Sequence, residues 1–213
     1  MFVGICDICI KSCAMEELIP KVFNAYREEY ERILKVFTPY PDPKRHSLHE
    51  VNQVAKFQKI YELTCGSENV ITWLELGIKG IDQENNRTSR IDGFIADMDR
   101  QIIIFIEAKR LSRDKNIDGL CDDLNRAQKI KASDIKGSQN NANSFSGFSA
   151  YCVLLADFCT DHHQLSPENK QKIMEDKENV EYSGNMKKIS LNKPTKINEN
   201  YYLMYALYKI EGF

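Results

Sequence analysis

The chain has 213 residues, 42% of them hydrophobic and 28% charged, with a formal net charge of −2. That length and balance fit one α/β domain with a real core, and they exclude a disordered polymer or a polycation that wraps nucleic acid by bulk charge. A local basic groove remains compatible with them.

The N-terminal stretch Met1–Ile10 is mildly apolar but lacks a basic leader and carries Asp7, so it does not read as a signal peptide. No apolar run is long enough to span a bilayer, and a cytoplasmic protein without membrane partners is expected. The seven cysteines are odd in number and fit a reducing compartment. Cys6, Cys9 and Cys13 offer three of the four ligands of a structural zinc, with His46, His49 or Cys65 as the fourth. No second C-x-x-C exists, and a packed or frayed terminus is the favoured reading.

A helix is predicted over 16–37, with Leu18, Val22, Tyr26, Ile33 and Phe37 as its stripe. The prolines of 39–43 end it. A second helix is predicted over 47–63, capped by Ser47. There Glu50 falls in line with Val54, Phe57 and Tyr61, at the head of an apolar stripe and not on a wet face. Residues 69–79 read as a first strand and 81–90 as a polar loop. The runs 91–98 and 101–109 read as a hairpin turning at Asp99-Arg100. Its second strand is apolar on both faces, which implies helices above and below the sheet.

In that hairpin Asp92 lies opposite Glu107, and Lys109 shares a face with Glu107. Like charges placed opposite each other cost roughly 0.2–1 kcal/mol on a sheet, and more when buried. A divalent cation would turn that repulsion into ligation. The competing reading is an ordinary ion pair at the sheet rim. Further on, Ile117–Ala132 reads as a helix, 134–149 as a loop, and 151–158 as a buried strand. Residues 164–200 read as a polar, variable segment in which Ser166-Pro167-Glu168 opens a short helix. Residues 201–210 close the chain as an aromatic strand. Asp161-His162-His163 reads as a solvated loop.

The predicted order α-α-β-β-β-α-β-(α)-β, with Asp92 on the second strand and Glu107-Ala108-Lys109 ending the third, resembles the PD-(D/E)xK nuclease superfamily, the restriction-endonuclease-like fold. The similarity covers roughly 47–158. Ile91 stands where the family pattern has proline. Other (D/E)-x-K strings, such as Asp42-Pro-Lys44 and Glu168-Asn-Lys170, fall in loops or polar helices; only Glu107 ends a buried strand. A single domain over 1–213 is expected: a helical extension at 1–46, the motif-bearing core at 47–158, the variable segment at 164–200 and the final strand at 201–210.

The resemblance implies a mixed central sheet flanked by helices and metal-dependent hydrolysis of phosphodiesters. Asp92, Glu107, the Ala108 carbonyl and Glu50 would hold Mg²⁺ or Mn²⁺, and Lys109 would assist the attacking water. Glu50 has a capping-box role as its alternative. Gln128 is the candidate amide on the following helix, and a solvated position is its alternative. Arg110 and Arg113 are candidate phosphate contacts. DNA is the expected partner, with RNA as an alternative. A homodimer is expected if the chain is of the junction-resolving kind. A catalytically inactive module of the same fold, binding nucleic acid or protein, is the competing function.

Overall fold

The computed structural model describes residues 14–36, 50–78, 89–135, 145–161, 164–175, 177–183 and 188–213. Among the described residues two helices come first, α1 (Met15–Val36) and α2 (Glu50–Cys65). Strands β1 (Val70–Ile78), β2 (Ser89–Asp97) and β3 (Ile102–Arg110) follow, then α3 (Asp114–Ala127) and β4 (Ser149–Cys159). The chain continues through α4 (Pro167–Met174), β5 (Asn179–Ser183), β6 (Lys188–Asn192), β7 (Thr195–Asn198) and β8 (Tyr201–Ile210).

Six strands form one mixed sheet in the order β1-β2-β3-β4-β8-β7, and β5-β6 form a separate hairpin. Among the described strands of the sheet, only β3 and β4 run parallel. Parallel neighbours need a crossover, and α3 supplies it. β3 is the strand expected to be covered on both sides, and it is buried from Ile102 to Ala108. Ile104, Ile106 and Ala108 pack into the cluster built by α1 and α2. Ile103 and Phe105 pack into the opposite cluster, with Leu120 and Leu124 of α3, Ile173 of α4, and Val180, Tyr182, Ile189 and Leu191 of the hairpin. Helices therefore flank both faces of the sheet. Among the described residues, no helix is long and apolar enough to cross a membrane.

The turn between β2 and β3 spans four residues, 98–101, where a two-residue loop is predicted. Its centre is unchanged, so the register is the expected one: Gly93 faces Ile106 and Phe94 faces Phe105. Fully buried Asp97 braces this turn. It accepts hydrogen bonds from the Tyr61 hydroxyl at 2.9 Å, the Ser67 hydroxyl at 2.9 Å and the Arg100 N–H at 3.1 Å. The Arg100 guanidinium lies 3.0 Å from the same carboxylate.

Three expectations need revision. Helix α1 is no extension: Leu18, Ile19, Val22, Phe23 and Tyr26 belong to the main core. Helix α3 starts three residues before the predicted Ile117 and ends at Ala127. Its Asp114 accepts hydrogen bonds from the Ser166 N–H at 3.1 Å and Asn169 Nδ2 at 2.9 Å, which ties the helix start to α4. The segment 164–200, expected to be variable, contains α4 and three strands. Ser166 does cap α4, accepting from the Asn169 N–H. The strands of this segment have only four or five residues; β5 and β6 bury alternate side chains (Val180, Tyr182, Ile189 and Leu191), whose polar neighbours hide the pattern, and β7 buries none. Phe37, Ser47, residues 79–88 (which take in most of the predicted 81–90 loop), His46, His49, Cys6, Cys9, Cys13, His162 and His163 lie outside the described residues, as do 136–144 of the predicted 134–149 loop. Cys65, Cys121, Cys152 and Cys159 are buried.

Helix α2 is seated on the sheet by Gln58, whose side-chain amide donates to the Trp73 carbonyl at 2.9 Å and the Phe94 carbonyl at 3.1 Å. Gly93 makes that approach possible. A Cβ there would collide with Val54 and stand 3.3 Å from the Ile106 Cβ. Gly93→Ala is expected to destabilise the fold by roughly 1–3 kcal/mol, through overpacking. Urea denaturation measures this; a midpoint equal to that of the parent would mean that α2 does not rest on β2 in this way.

Candidate active site

The β2–β3 ladder has its last pair at Gly93 and Ile106. One residue beyond, the side chain of Asp92 takes the place of a backbone acceptor: its Oδ2 accepts the Ala108 N–H at 2.9 Å. Asp92 is half-buried. Alternation along β3 sends Glu107 and Lys109 to the face covered by α3. Glu107 is 1% exposed, and its Oε1 lies 2.6 Å from Nη2 of Arg126. Lys109 Nζ lies 3.1 Å from Oδ2 of Asp123. The chain of ion pairs closes on α3 itself, where Arg126 Nη2 is 2.9 Å from Asp123 Oδ1. Asp123 and Arg126 are three residues apart, so both point from one side of the helix.

Glu50 approaches the same strand end from the other layer. It is the first residue of α2, and its Oε1 accepts the Arg110 N–H at 3.0 Å. Its charge reaches Lys109, as does that of Asp92. Glu50, Asp92, Glu107 and Lys109 thus converge at the C-terminal end of β3. This is the end of a parallel strand, where ligands of open α/β sheets bind.

The other expected residues are placed differently. Ala108 gives its N–H to Asp92, a bond that does not involve the carbonyl expected as a ligand. Arg110 lies on the face opposite Lys109, where its guanidinium binds the fully buried Asp157, with Nη2 at 2.9 Å and Nε at 3.2 Å. The Tyr201 hydroxyl donates to the same Asp157 oxygen. Arg110 is therefore an anchor of the strand end and is not presented to a substrate. Arg113 is exposed at the N-cap of α3. Gln128 is the C-cap of α3. It follows Arg126 by two residues, which on a helix turns it to the opposite side.

Asp123 and Arg126 were not singled out from the sequence. A signal existed for Asp123: it falls three residues after Leu120 and four before Ala127, inside the apolar stripe, and only 7% of it is exposed. An acid in that position needs a partner. The same reasoning singles out Glu50.

Four carboxylates (Glu50, Asp92, Glu107 and Asp123) share this end of β3 with two cations, Lys109 and Arg126. With every acid ionised two negative charges are left uncompensated, and one while Glu107 keeps its proton. Burial, followed by the Asp123 carboxylate, pushes the Glu107 carboxyl up to about 9; Arg126 offsets part of this and Asp92 adds to it. Burial opposes the charge on Lys109, but Asp123, Glu50 and Asp92 together hold its ammonium above the ordinary range. Lys109 is thus a firm cation and unsuited to accepting a proton.

The donor set suits a hard divalent ion: oxygen ligands, and an excess charge of the right size. In the geometry described, however, a guanidinium nitrogen stands on Glu107. Among the described residues no three His, Cys, Asp or Glu side chains converge as a ready-made cage. Ligation therefore requires Arg126 to move. Comparison of the chain with protein-family models, with curated proteins and with solved structures found no match. The fold and this cluster define a mixed α/β protein with an acidic, lysine-bearing centre at the end of a parallel strand.

Between the ordinary carboxyl value of 4.5 and about 9, folded Glu107 holds a proton that the unfolded chain has lost. Stability should fall as pH rises through that window. Glu107→Gln removes the penalty. In metal-free buffer the variant should be more stable than the parent by on the order of 1–2 kcal/mol at the alkaline end, with the gap closing at the acid end. Thermal melts across pH check this; equal melting curves at every pH would contradict the burial of an acid at this position.

Proposed function

We propose that the chain is a metal-dependent nuclease of the restriction-endonuclease-like class that hydrolyses phosphodiester bonds, with DNA as the substrate. The observation that carries this reading is the convergence of Glu50, Asp92, Glu107 and Lys109, from α2, β2 and β3, on one strand end with negative charge in excess. The resemblance of the Glu107-Ala108-Lys109 string and its paired Asp92 to the PD-(D/E)xK pattern supports it.

Asp92 and Glu107 would hold Mg²⁺ or Mn²⁺, with Glu50 reaching the same ion or a water bound to it. When bound, such an ion supplies Lewis acidity and a water of lowered pKa. Lys109 contributes a fixed positive charge where the phosphate gains negative charge, and that stabilisation acts on the transition state. The backbone of 108–110 is held by Asp92 and Glu50, so the cation of Lys109 is presented from a fixed support.

A second reading keeps the architecture without the chemistry: a nuclease-like module that binds nucleic acid or protein. One observation favours it, the seating of Arg126 on a Glu107 that is 1% exposed. Cleavage separates the two. Linear, circular and branched DNA incubated with the protein should be cut with Mg²⁺ or Mn²⁺ and left intact with chelator. Lys109→Ala should lower the rate by about 10²–10³-fold, as loss of a transition-state charge does, while preserving the circular dichroism spectrum. Absence of cleavage under every metal condition favours the module; full activity of Lys109→Ala removes that lysine from the mechanism.

A further inference from the structure

We propose that Arg126 is a resident stand-in for the metal ion, bridging Glu107 and Asp123 in the metal-free protein and released on metal loading to contact the substrate phosphate. This inference rests on the nuclease reading and deepens it.

The bridge is unlike a paired guanidinium. Arginine usually meets a carboxylate with two parallel N–H donors. Here one nitrogen, Nη2, makes both contacts, 2.6 Å to Glu107 on β3 and 2.9 Å to Asp123 on α3. A single cationic atom between carboxylates from two elements is the arrangement of an ion in a site. The rest of the guanidinium is poorly used: Nε is buried with no hydrogen-bond partner. Asp123 Oδ2, by contrast, is taken up by the Lys109 ammonium at 3.1 Å. A site left with an unused buried donor is strained in its polar pairing.

Arg126 can leave without unfolding its surroundings. Its side chain is 28% exposed, and it occupies the last turn of α3, where the helix dipole favours a cation whichever way the side chain points. A divalent ion on Glu107 and Asp92 would repel it. Once displaced it would remain beside the strand end, with five donors suited to phosphate oxygens. Asp123 is the positioning residue of this device. It holds Arg126 and Lys109 at once, so it sets both cations relative to Glu107.

The test is calorimetric titration of Mn²⁺ and of Mg²⁺ into the full chain and into Arg126→Met, at one alkaline pH, with melting curves for both. Loss of the resident cation should tighten metal binding by about tenfold or more, the worth of a charge-assisted hydrogen bond. The same variant should bind a fluorescent DNA duplex more weakly in the presence of Ca²⁺, and cut more slowly although it holds metal more tightly. Arg126→Lys should return metal affinity towards that of the parent. A purely structural arginine would lower the melting temperature without tightening metal binding. Metal affinity unchanged or weaker in a folded Arg126→Met overturns the stand-in role alone. Failure of both proteins to bind either metal overturns it together with the metal-dependent reading.

Discussion

Glu107 is a carboxylate enclosed beneath a helix, with one guanidinium nitrogen on it and two other acids nearby. Taking a charge of that kind out of water costs several kcal/mol unless it is paired. The fold leaves it no other place. β3 must pair in parallel with β4, a parallel pair requires a crossover, and the crossover helix α3 lies over the face to which Glu107 points. The sequence of α3 answers this constraint with Arg126 and Asp123, and Asp123 in turn draws in Lys109.

The end of β3 is held from several directions. Below the sheet, Arg110 is tied to Asp157, and its N–H is tied to Glu50 at the head of α2. At the side, Asp92 takes the Ala108 N–H where the β2 ladder has stopped. Above, Lys109 is drawn to Asp123, and α3 passes close enough that a Cβ on Gly119 would stand 3.5 Å from the lysine Cε. Positions 107–110 therefore present alternate side chains to opposite layers from a backbone fixed at consecutive residues. Such fixation is what a reactive centre requires, because displacement by an ångström costs orders of magnitude in rate. It also serves a binding module, which is why the excess of negative charge carries more weight than the rigidity.

Much of this arrangement was legible in the sequence because it depends on local rules. The turn centred on Asp99 and Arg100 fixes the β2–β3 register. Strand alternation puts Glu107 and Lys109 on one face, and helical spacing places Glu50 at the head of a buried stripe. What depends on tertiary contact was not legible. Arg110 resembles a phosphate ligand until buried Asp157, forty-seven residues away, is seen to claim it. Asp123 lies in the readable apolar stripe of its helix, but that it binds Lys109, and that Arg126 reaches Glu107, is set only by the fold. The short strands β5 and β6 bury alternate side chains over too few residues for the pattern to stand above a lysine-rich background, and β7 buries none. Helix α1 was read as an appendage because nothing in its own stripe names its partner; the ring of Phe23 against Tyr205, 4.3 Å between centroids, shows that it belongs to the sheet.

We propose that this excess negative charge marks a seat for a divalent ion. The most direct measurement is anomalous diffraction from a crystal of the protein soaked in Mn²⁺. The expected result is an anomalous peak at the end of β3, within about 2.1 Å of carboxylate oxygens of Asp92 and Glu107, with the guanidinium of Arg126 withdrawn from Glu107. A map with no peak there, and Arg126 Nη2 still seated on Glu107, would contradict it.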